Sequence, residues 1–387
     1  MNPPIRNVDV LIVGGGPAGS SVAWALRHYG LKIAVLDKSQ FPRNKICAGW
    51  VTPQVLQALD IDWRDYAREH VLQPIHGFRV GSIGADEVDV AYPNNEVPVS
   101  FGIRRCEFDN YLLSRAGAKL YLGEPLTSMR RSEERWIVNE SISAQFIVGA
   151  GGHFCPVARN IGARLGNTER VVAAQEVEFQ MDAVQSAACR LEGEHPAIYF
   201  CNDLKGYGWA FRKGEWLNIG IGREDNHRLS EHLQNFCKWL VETRRIPAQP
   251  SQRFQGHAYL LASHATRPLV GDSVMLVGDA AGLAYPQSGE GIRPAVESGL
   301  LAGQIIAQSR GNLTRVDLHR YGDLIANRFG QRSGGVLASH SSWLKTALAR
   351  QLLRTRWFDR RIVINRWFLH RSLPALKLEI DAATMAA

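Results

Sequence analysis

The 387-residue sequence predicts an α/β fold: a parallel βαβ domain assembled from separated pieces of chain, a second domain of antiparallel sheet, and a C-terminal helical segment. Three observations predict it. An apolar run, a glycine turn and a helical stretch open the chain. A second strand-and-glycine pattern recurs far downstream, at residues 274–291. Between them lie short runs in which apolar and polar residues alternate. The length allows two cores, and 45% hydrophobic against 21% charged residues excludes a disordered chain.

Residues 9–13 (DVLIV) have the continuous apolar character of a buried parallel strand. They feed Gly14-Gly15-Gly16-Pro17-Ala18-Gly19, where Gly14, Gly16 and Gly19 form a GxGxxG. The helical stretch SSVAWALRHY follows, Gly30 ends it, and KIAVLD makes a second strand that closes on Asp37. In this Rossmann-like arrangement the glycines let a pyrophosphate approach the helix N-terminus, and the acid accepts hydrogen bonds from a ribose. Residues 76–100 and about 170–260 read as antiparallel strands (VVAAQEVEFQM, AIYFC, GWAFRK, WLNIGIG) divided by Gly, Asn and Asp turns. The stretch SEHLQNFCKWLVETRR interrupts them with helical spacing, Leu233, Phe236, Cys237 and Leu240 marking one face. Residues 274–291 (VMLVGDAAGLAYPQSGEG) then give a strand, Gly278-Asp279, a small-residue helix start and a proline-glycine turn. There the Asp can bind a sugar-alcohol hydroxyl while the glycine turn approaches a flat ring.

Other classes are excluded. The N-terminal apolar run is too short for a signal segment and ends in glycine, and no uncharged apolar stretch reaches membrane-spanning length. Six cysteines (47, 106, 155, 189, 201, 237) form no CxxC pair, which argues against a zinc site or disulfide framework and for a reducing compartment. A cytoplasmic protein without a metal is expected. Of the net charge of +8, residues 345–371 hold most, with eight Lys/Arg against one acid, Asp359. Nucleic acid is therefore no partner for the body of the chain.

The pair GGGPAGS and LVGDAAG resembles the FAD-binding fold of aromatic hydroxylases, flavin-dependent halogenases and geranylgeranyl reductases, over residues 8–305. The resemblance implies FAD, with the ADP half on Gly14, Gly16, Pro17, Ala18, Gly19, Asp37 and Lys38, and the ribityl chain on Gly278, Asp279 and Ala280. RRCEFDNYLLSRA is similar to the family's R-x-x-F-D-x-x-L segment and implies a flavin-facing role for Arg105. FIVGAGGHFCPVAR occupies the place of the hydroxylases' DG motif, with Gly151 where their Asp stands, which weakens a nicotinamide-driven hydroxylase reading. Three stretches resemble the geranylgeranyl-reductase branch. They are FPRNKICAGWVTPQ, implying Arg43, Lys45, Cys47, Ala48 and Gly49 near the isoalloxazine; GYGWAFRKG, with Arg212 in place of a proline; and PQSGEGIRPAVESG, implying Pro286, Gly289, Gly291 and Ile292 in the flavin turn.

Single residues carry competing readings. Cys47 is either a ring-adjacent, catalytic thiol or a packed one; Arg43 and Lys45 would favour its thiolate, whereas burial would keep its proton. Tyr207 and Trp209 flank Gly208 in strand alternation and share a face, either of a substrate cavity or of a packed sheet. Lys213, before the turn glycine Gly214, is expected in solvent. His153 is expected to be a loop histidine satisfied by backbone, Glu290 and Arg293 to order a helix N-terminus, and the five other cysteines to be structural. The C-terminal run SSWLKTALARQLLRTRWFDRRIVINRWFLHRS either lies on an anionic membrane surface or packs on the body.

These readings divide the chain into an FAD domain (1–75, 101–168 and 262–330), a substrate-binding sheet domain (76–100 and 169–261) and a basic C-terminal region (331–387). The function they predict is an FAD-dependent oxidoreductase that reduces C=C bonds of a hydrophobic, isoprenoid-like substrate by hydride transfer. A monooxygenase and a non-catalytic lipid- or flavin-binding protein are the alternatives. With no second GxGxxG, the electron donor is a transient NAD(P)H or a ferredoxin.

Overall fold

A computed structural model of the chain describes residues 5–92, 97–164, 169, 171–225, 227–309, 315–330 and 350–378. Arg6–Val13 is the opening strand, and its apolar run is buried on both faces. Helix Pro17–Leu26 begins on the proline whose missing N–H costs nothing at that position. It returns the chain to strand Ile33–Asp37, parallel to the first. Ile142–Gly149 joins the other side of the opening strand, also in parallel, and Val274–Leu276 extends that edge. Lys119–Leu122 extends the opposite edge. Burial of these aliphatic side chains, each contributing about 1.5–3 kcal/mol, fixes the ends of the strands, where the glycine turns lie.

Helix Ile292–Gln308 packs along Pro17–Leu26 through small residues. A Cβ on Gly299 would lie 2.3 Å from the Ala18 carbonyl oxygen, and one on Gly303 2.5 Å from the Ala25 Cβ. The two helices can approach this closely only because the second carries glycine at both contacts. Their N-termini, Gly16 and Gly291, thereby open on the same side; the first has no side-chain cap, while Glu290 accepts the Arg293 N–H at the second.

The second large sheet runs in the order Gln255–Leu260, Val171–Gln180, Trp216–Arg223, Gly206–Lys213, Ala197–Phe200, Gly77–Ser82, Glu87–Ala91. Helix Leu229–Glu242 covers one face, with Leu233, Phe236, Cys237 and Leu240 buried as their spacing predicts. The expected antiparallel pattern fails at one junction: Ala197–Phe200 pairs with Gly77–Ser82 in parallel. More than a hundred residues separate those strands, so the chain returns from the other domain in the same direction, which a hairpin could not do. A small sheet of Trp50–Val51, Ser100–Ile103 and Leu72–Ile75 lies outside the sequence expectation.

Residues 331–349 and 379–387 of the expected C-terminal helical region lie outside the described residues. The described part packs on the body. Asp359–Phe368 is a wide helix that buries Val363, Ile364 and Phe368, the Phe368 ring lying 5.4 Å from Trp50 and 5.3 Å from Tyr207. Beyond it the chain is clamped to helix Ile292–Gln308: Arg293 donates to the carbonyls of Leu373 (2.7 Å) and Pro374 (3.0 Å), Arg328 donates to Pro374, and the buried Glu297 carboxylate accepts from both arginines.

Candidate active site

At the end of the opening strand the chain turns at Gly14, whose φ of +115° only glycine adopts without strain. A Cβ there would lie 2.3 Å from the Ala150 oxygen and 2.8 Å from the Gly151 nitrogen, so the loop of Gly151 is pressed against the turn. Asp37, buried at its strand end, accepts from the Gly15 N–H (2.7 Å) and from Ser39 (2.8 Å). Arg43 reaches over the turn, its guanidinium 3.2 Å from where a Gly16 Cβ would stand. It pairs with Asp109 at 3.3 Å, but that fully buried carboxylate is already held by Arg105 at 2.8 and 2.9 Å. One carboxylate thus serves two arginines beside the uncapped N-terminus of helix Pro17–Leu26, leaving a surplus of positive potential suited to a diphosphate.

Asp279 sits in the turn Gly278–Ala280, its Oδ1 3.1 Å from where a Gly291 Cβ would be. Its Oδ2 lies 3.9 Å from His257 Nε2, which is 2.9 Å from Lys45 Nζ. Burial pushes Lys45 down to about 8, partly opposed by the charge of Asp279. Burial also lowers His257. For Asp279 burial acts upward, but the neighbouring His257 ring and the Lys45 charge outweigh it and hold the carboxyl below its ordinary range. Although burial is the largest perturbation on each group, the side chains keep accessible surface, 17% for His257 and 22% for Asp279. These partly accessible polar groups border the glycine turn at Gly291. Gly14–Gly19, Asp37, Arg43, Asp279 and Gly291 therefore fit FAD: acceptors for sugar hydroxyls, donors for phosphate, and a turn without side chains for the ring.

The opposite wall is the face of the second sheet that the first domain covers. Cross-strand rows on it read Ala174–Gly222–Tyr207, Glu176–Gly220–Trp209 and Glu178–Asn218–Phe211. Trp209 lies over Gly220, where a Cβ would come within 2.2 Å of its ring, and its Nε1 donates to Asn218 at 2.7 Å. Tyr207 and Trp209 share this face, ring centroids 6.1 Å apart, and the Tyr207 hydroxyl donates to the Ser288 carbonyl in the turn before Gly291. Cys47 is held between the walls. Its N–H donates to Glu176 (2.5 Å), its carbonyl accepts from Asn218 (3.1 Å), and its Sγ accepts from the Gly49 N–H (3.4 Å). Burial pushes the thiol up; the charge that opposes this most is Arg105, not the sequence neighbours Arg43 and Lys45.

The remaining predicted residues fall around this cluster. Pro17 and Ala18 form the first helical turn, and Ala48 packs by Tyr207 and Trp209. Gly49, at φ +69°, abuts the Lys213 ammonium, and Gly289 lies against the Tyr259 ring. Pro286 is half-buried, Ala280 and Ile292 belong to the core, and Lys38 is exposed. Lys213 is a correction: it is 1% exposed, donating to the Ile103 carbonyl (2.7 Å) and Glu178 (2.8 Å). Strand alternation places it on the face of Tyr207, Trp209 and Phe211, which the first domain covers, so the nearby turn does not expose it. His153 is buried against Arg267. Glu290 accepts the Arg293 N–H at 2.7 Å, as expected at a helix start. Sequence reasoning missed Glu176, Glu178, Asn218, His257 and Tyr259; two acids on one face of an otherwise apolar strand were the available signal. An open cleft of about 440 Å³ bordered by Leu191, His195 and Arg212 shares none of these residues.

Comparison with known proteins bears on the family and the fold. Residues 126–323 match the family described as FAD binding domain, and residues 9–81 the one described as FAD dependent oxidoreductase. The chain is 29% identical to digeranylgeranylglycerophospholipid reductase 2 of Methanosphaera stadtmanae, covering 84% of each. It is 30% identical to the menaquinone reductase of Mycobacterium tuberculosis, over 84% of this chain and 81% of that one. A geranylgeranyl bacteriochlorophyll reductase-like structure from Thermoplasma acidophilum shares the fold, with a TM-score of 0.73 at 20% identity over 99% of this chain and 95% of that one.

Proposed function

The chain belongs to the FAD-binding-domain family of FAD-dependent oxidoreductases, and on that premise we propose that it adds two hydrogens across a carbon–carbon double bond of a hydrophobic, isoprenoid-like substrate. Bound FAD, once reduced, supplies the hydride. The chain's own residues bind, orient and protonate. Arg43 and the N-terminus of helix Pro17–Leu26 hold the diphosphate, Asp37 the adenosine ribose and Asp279 the ribityl hydroxyls. Tyr207 and Trp209 form an aromatic wall, backed by Trp50, Phe211 and Phe368, that takes an apolar chain and excludes water. Cys47, with its thiol kept protonated, donates the proton that completes the addition. The observation that carries this reading is the meeting of Cys47, Tyr207 and Trp209 with the 286–292 turn across one cleft. Digeranylgeranylglycerophospholipid and menaquinone, the substrates in the relatives' names, are the compounds to test.

Anaerobic single turnover of the reduced flavoprotein with menaquinone or an unsaturated archaeal phospholipid tests it. Expected is reoxidation of the flavin coupled to a product whose isoprenoid chain, and not its quinone ring, is heavier by two hydrogens. Oxygen incorporation under air, with no anaerobic product, would favour a monooxygenase instead. Reduction with NAD(P)H and with reduced ferredoxin, compared directly, assigns the electron donor.

Such substrates reside in membranes, and the C-terminal segment suits that setting. Among the described residues no helix is long and apolar enough to cross a membrane. Arg354, Arg356, Arg361, Arg366 and Trp357, the last 67% exposed, lie on a segment whose buried side touches Tyr207 through Phe368. We propose that this surface rests on anionic lipid and brings the cleft to its substrate. Co-sedimentation with anionic but not zwitterionic vesicles, lost at high salt, is the expected result.

A further inference from the structure

We infer that Glu176 is a positioning residue for Cys47: it holds the thiol-bearing residue in place and returns the proton the thiol gives up. The inference rests on the alkene-reductase reading above. Its foundation is geometric. Glu176 and Asn218, on neighbouring strands of the covered face, grip the N–H and the carbonyl of Cys47. Only Oε1 of Glu176 is used in this grip. Oε2 has no hydrogen-bond partner among the described residues, and the residue is 5% exposed. A buried carboxyl oxygen without a partner is costly as an anion and far less so as a protonated group. Trp209, stacked over Gly220 in the same row, seals the carboxyl on its strand side.

The titratable groups facing the pair come from several elements, and Tyr207 and Tyr259 face Cys47 from the sheet. Arg105, from the helix Arg105–Ser114, faces both groups. Lys213 and Glu178 face the carboxyl from the sheet, and Lys45 interacts with Cys47 from its own loop. Burial pushes Glu176 up to about 7, against the Cys47 N–H and Lys213, which act downward. Glu176 therefore holds a proton for part of the time at neutral pH. Its carboxylate also raises the thiol, while Arg105 lowers it.

The step balances. The Cys47 S–H bond breaks as its proton forms a C–H bond on the substrate carbon, and the electron pair stays on Sγ beside Arg105. The hydride for the other carbon would come from FAD, bound and reduced. The Glu176 O–H bond then breaks and its proton remakes S–H; the carboxylate left behind takes a proton from water.

Alkylation of Cys47 by iodoacetamide from pH 6 to 10, in the flavin-loaded chain and read by peptide mass, tests this without any substrate. Glu176→Gln removes the carboxylate. Its expected effect is to lower the thiol's titration midpoint by about one pH unit, making alkylation roughly tenfold faster at pH 8. Superimposable pH profiles for the two proteins would overturn the inference. A second measurement covers the case in which the variant does not load flavin: carbon-13 carboxyl signals of the wild-type glutamates. Two should titrate near neutrality, Glu176 and the similarly buried Glu290, and only the Glu290 signal should persist in Glu176→Gln. Finding no more than one such signal in the wild type would also overturn it. Absence of alkene reduction with the thiol shift intact would sink the function reading alone.

Discussion

Lys213 shows at the scale of one residue how the site is held together. Its ammonium is buried, ties the sheet's covered face to the Ile103 carbonyl, and pairs with Glu178, which also accepts from Asn218. Removing one member of a buried pair leaves the other charge uncompensated, at a cost of about 3 kcal/mol. Lys213→Met should therefore lower the unfolding free energy measured in urea by that amount, while Arg212→Met, one residue away on the other face, should change it by less than about 1 kcal/mol. Cys47→Ser keeps the backbone grip of Glu176 and Asn218, so FAD affinity should stay within about twofold, while turnover falls at least about tenfold for want of an acid of suitable strength. Unchanged turnover would reduce the thiol to packing. Asp37, Asp279 and Cys47 were readable in the sequence because each sits in a local motif. Glu176 and Asn218 were not: their contacts with Cys47 span 129 and 171 residues and exist only once the two sheets face one another.

At the scale of elements, the opening βαβ unit and the Leu229–Glu242 helix were legible because buried strands and amphipathic helices write their burial into local periodicity. The parallel junction between Ala197–Phe200 and Gly77–Ser82 was not, since strand direction depends on the path of the intervening chain. The contact between helices Pro17–Leu26 and Ile292–Gln308 depends on absent side chains, which no pattern of hydrophobicity records. Gly299→Leu would push a side chain into the Ala18 carbonyl and part the two N-termini. Equilibrium dialysis should show FAD affinity falling at least about tenfold; an unchanged affinity would mean that the convergence of these helices is unimportant for the cofactor. The C-terminal helix gives a pH test. Asp359 is fully buried, neither carboxyl oxygen has a partner among the described residues, and burial pushes it up to about 8. An acid raised in the folded state contributes stability below its unfolded value, near 4, and loses it as pH rises toward 8. Asp359→Asn should thus match the wild type at pH 4 and exceed it at pH 8 in thermal or urea unfolding, by at most about 5 kcal/mol.

For the whole molecule, the two sheets make one site because three separate stretches of chain bridge them: the 43–49 loop, the 286–292 turn and the C-terminal segment. That segment begins in the aromatic core against Trp50 and Phe211 and ends with Leu376 and Leu378 in the core around Val51 and Phe108. The excess positive charge of the chain concentrates in this same segment, so the basic surface and the strap are one structure. The sequence told that the segment is basic and aromatic; which side it buries was decided by the sheet it lands on.

The most direct measurement is a crystal structure of the chain loaded with FAD. Adenosine on Asp37, diphosphate between Gly16 and Arg43, and an isoalloxazine lying between the 286–292 turn and the Cys47, Tyr207 and Trp209 wall is the predicted result. An isoalloxazine turned away from that wall, or with its re and si faces both closed to the cleft, would contradict the account.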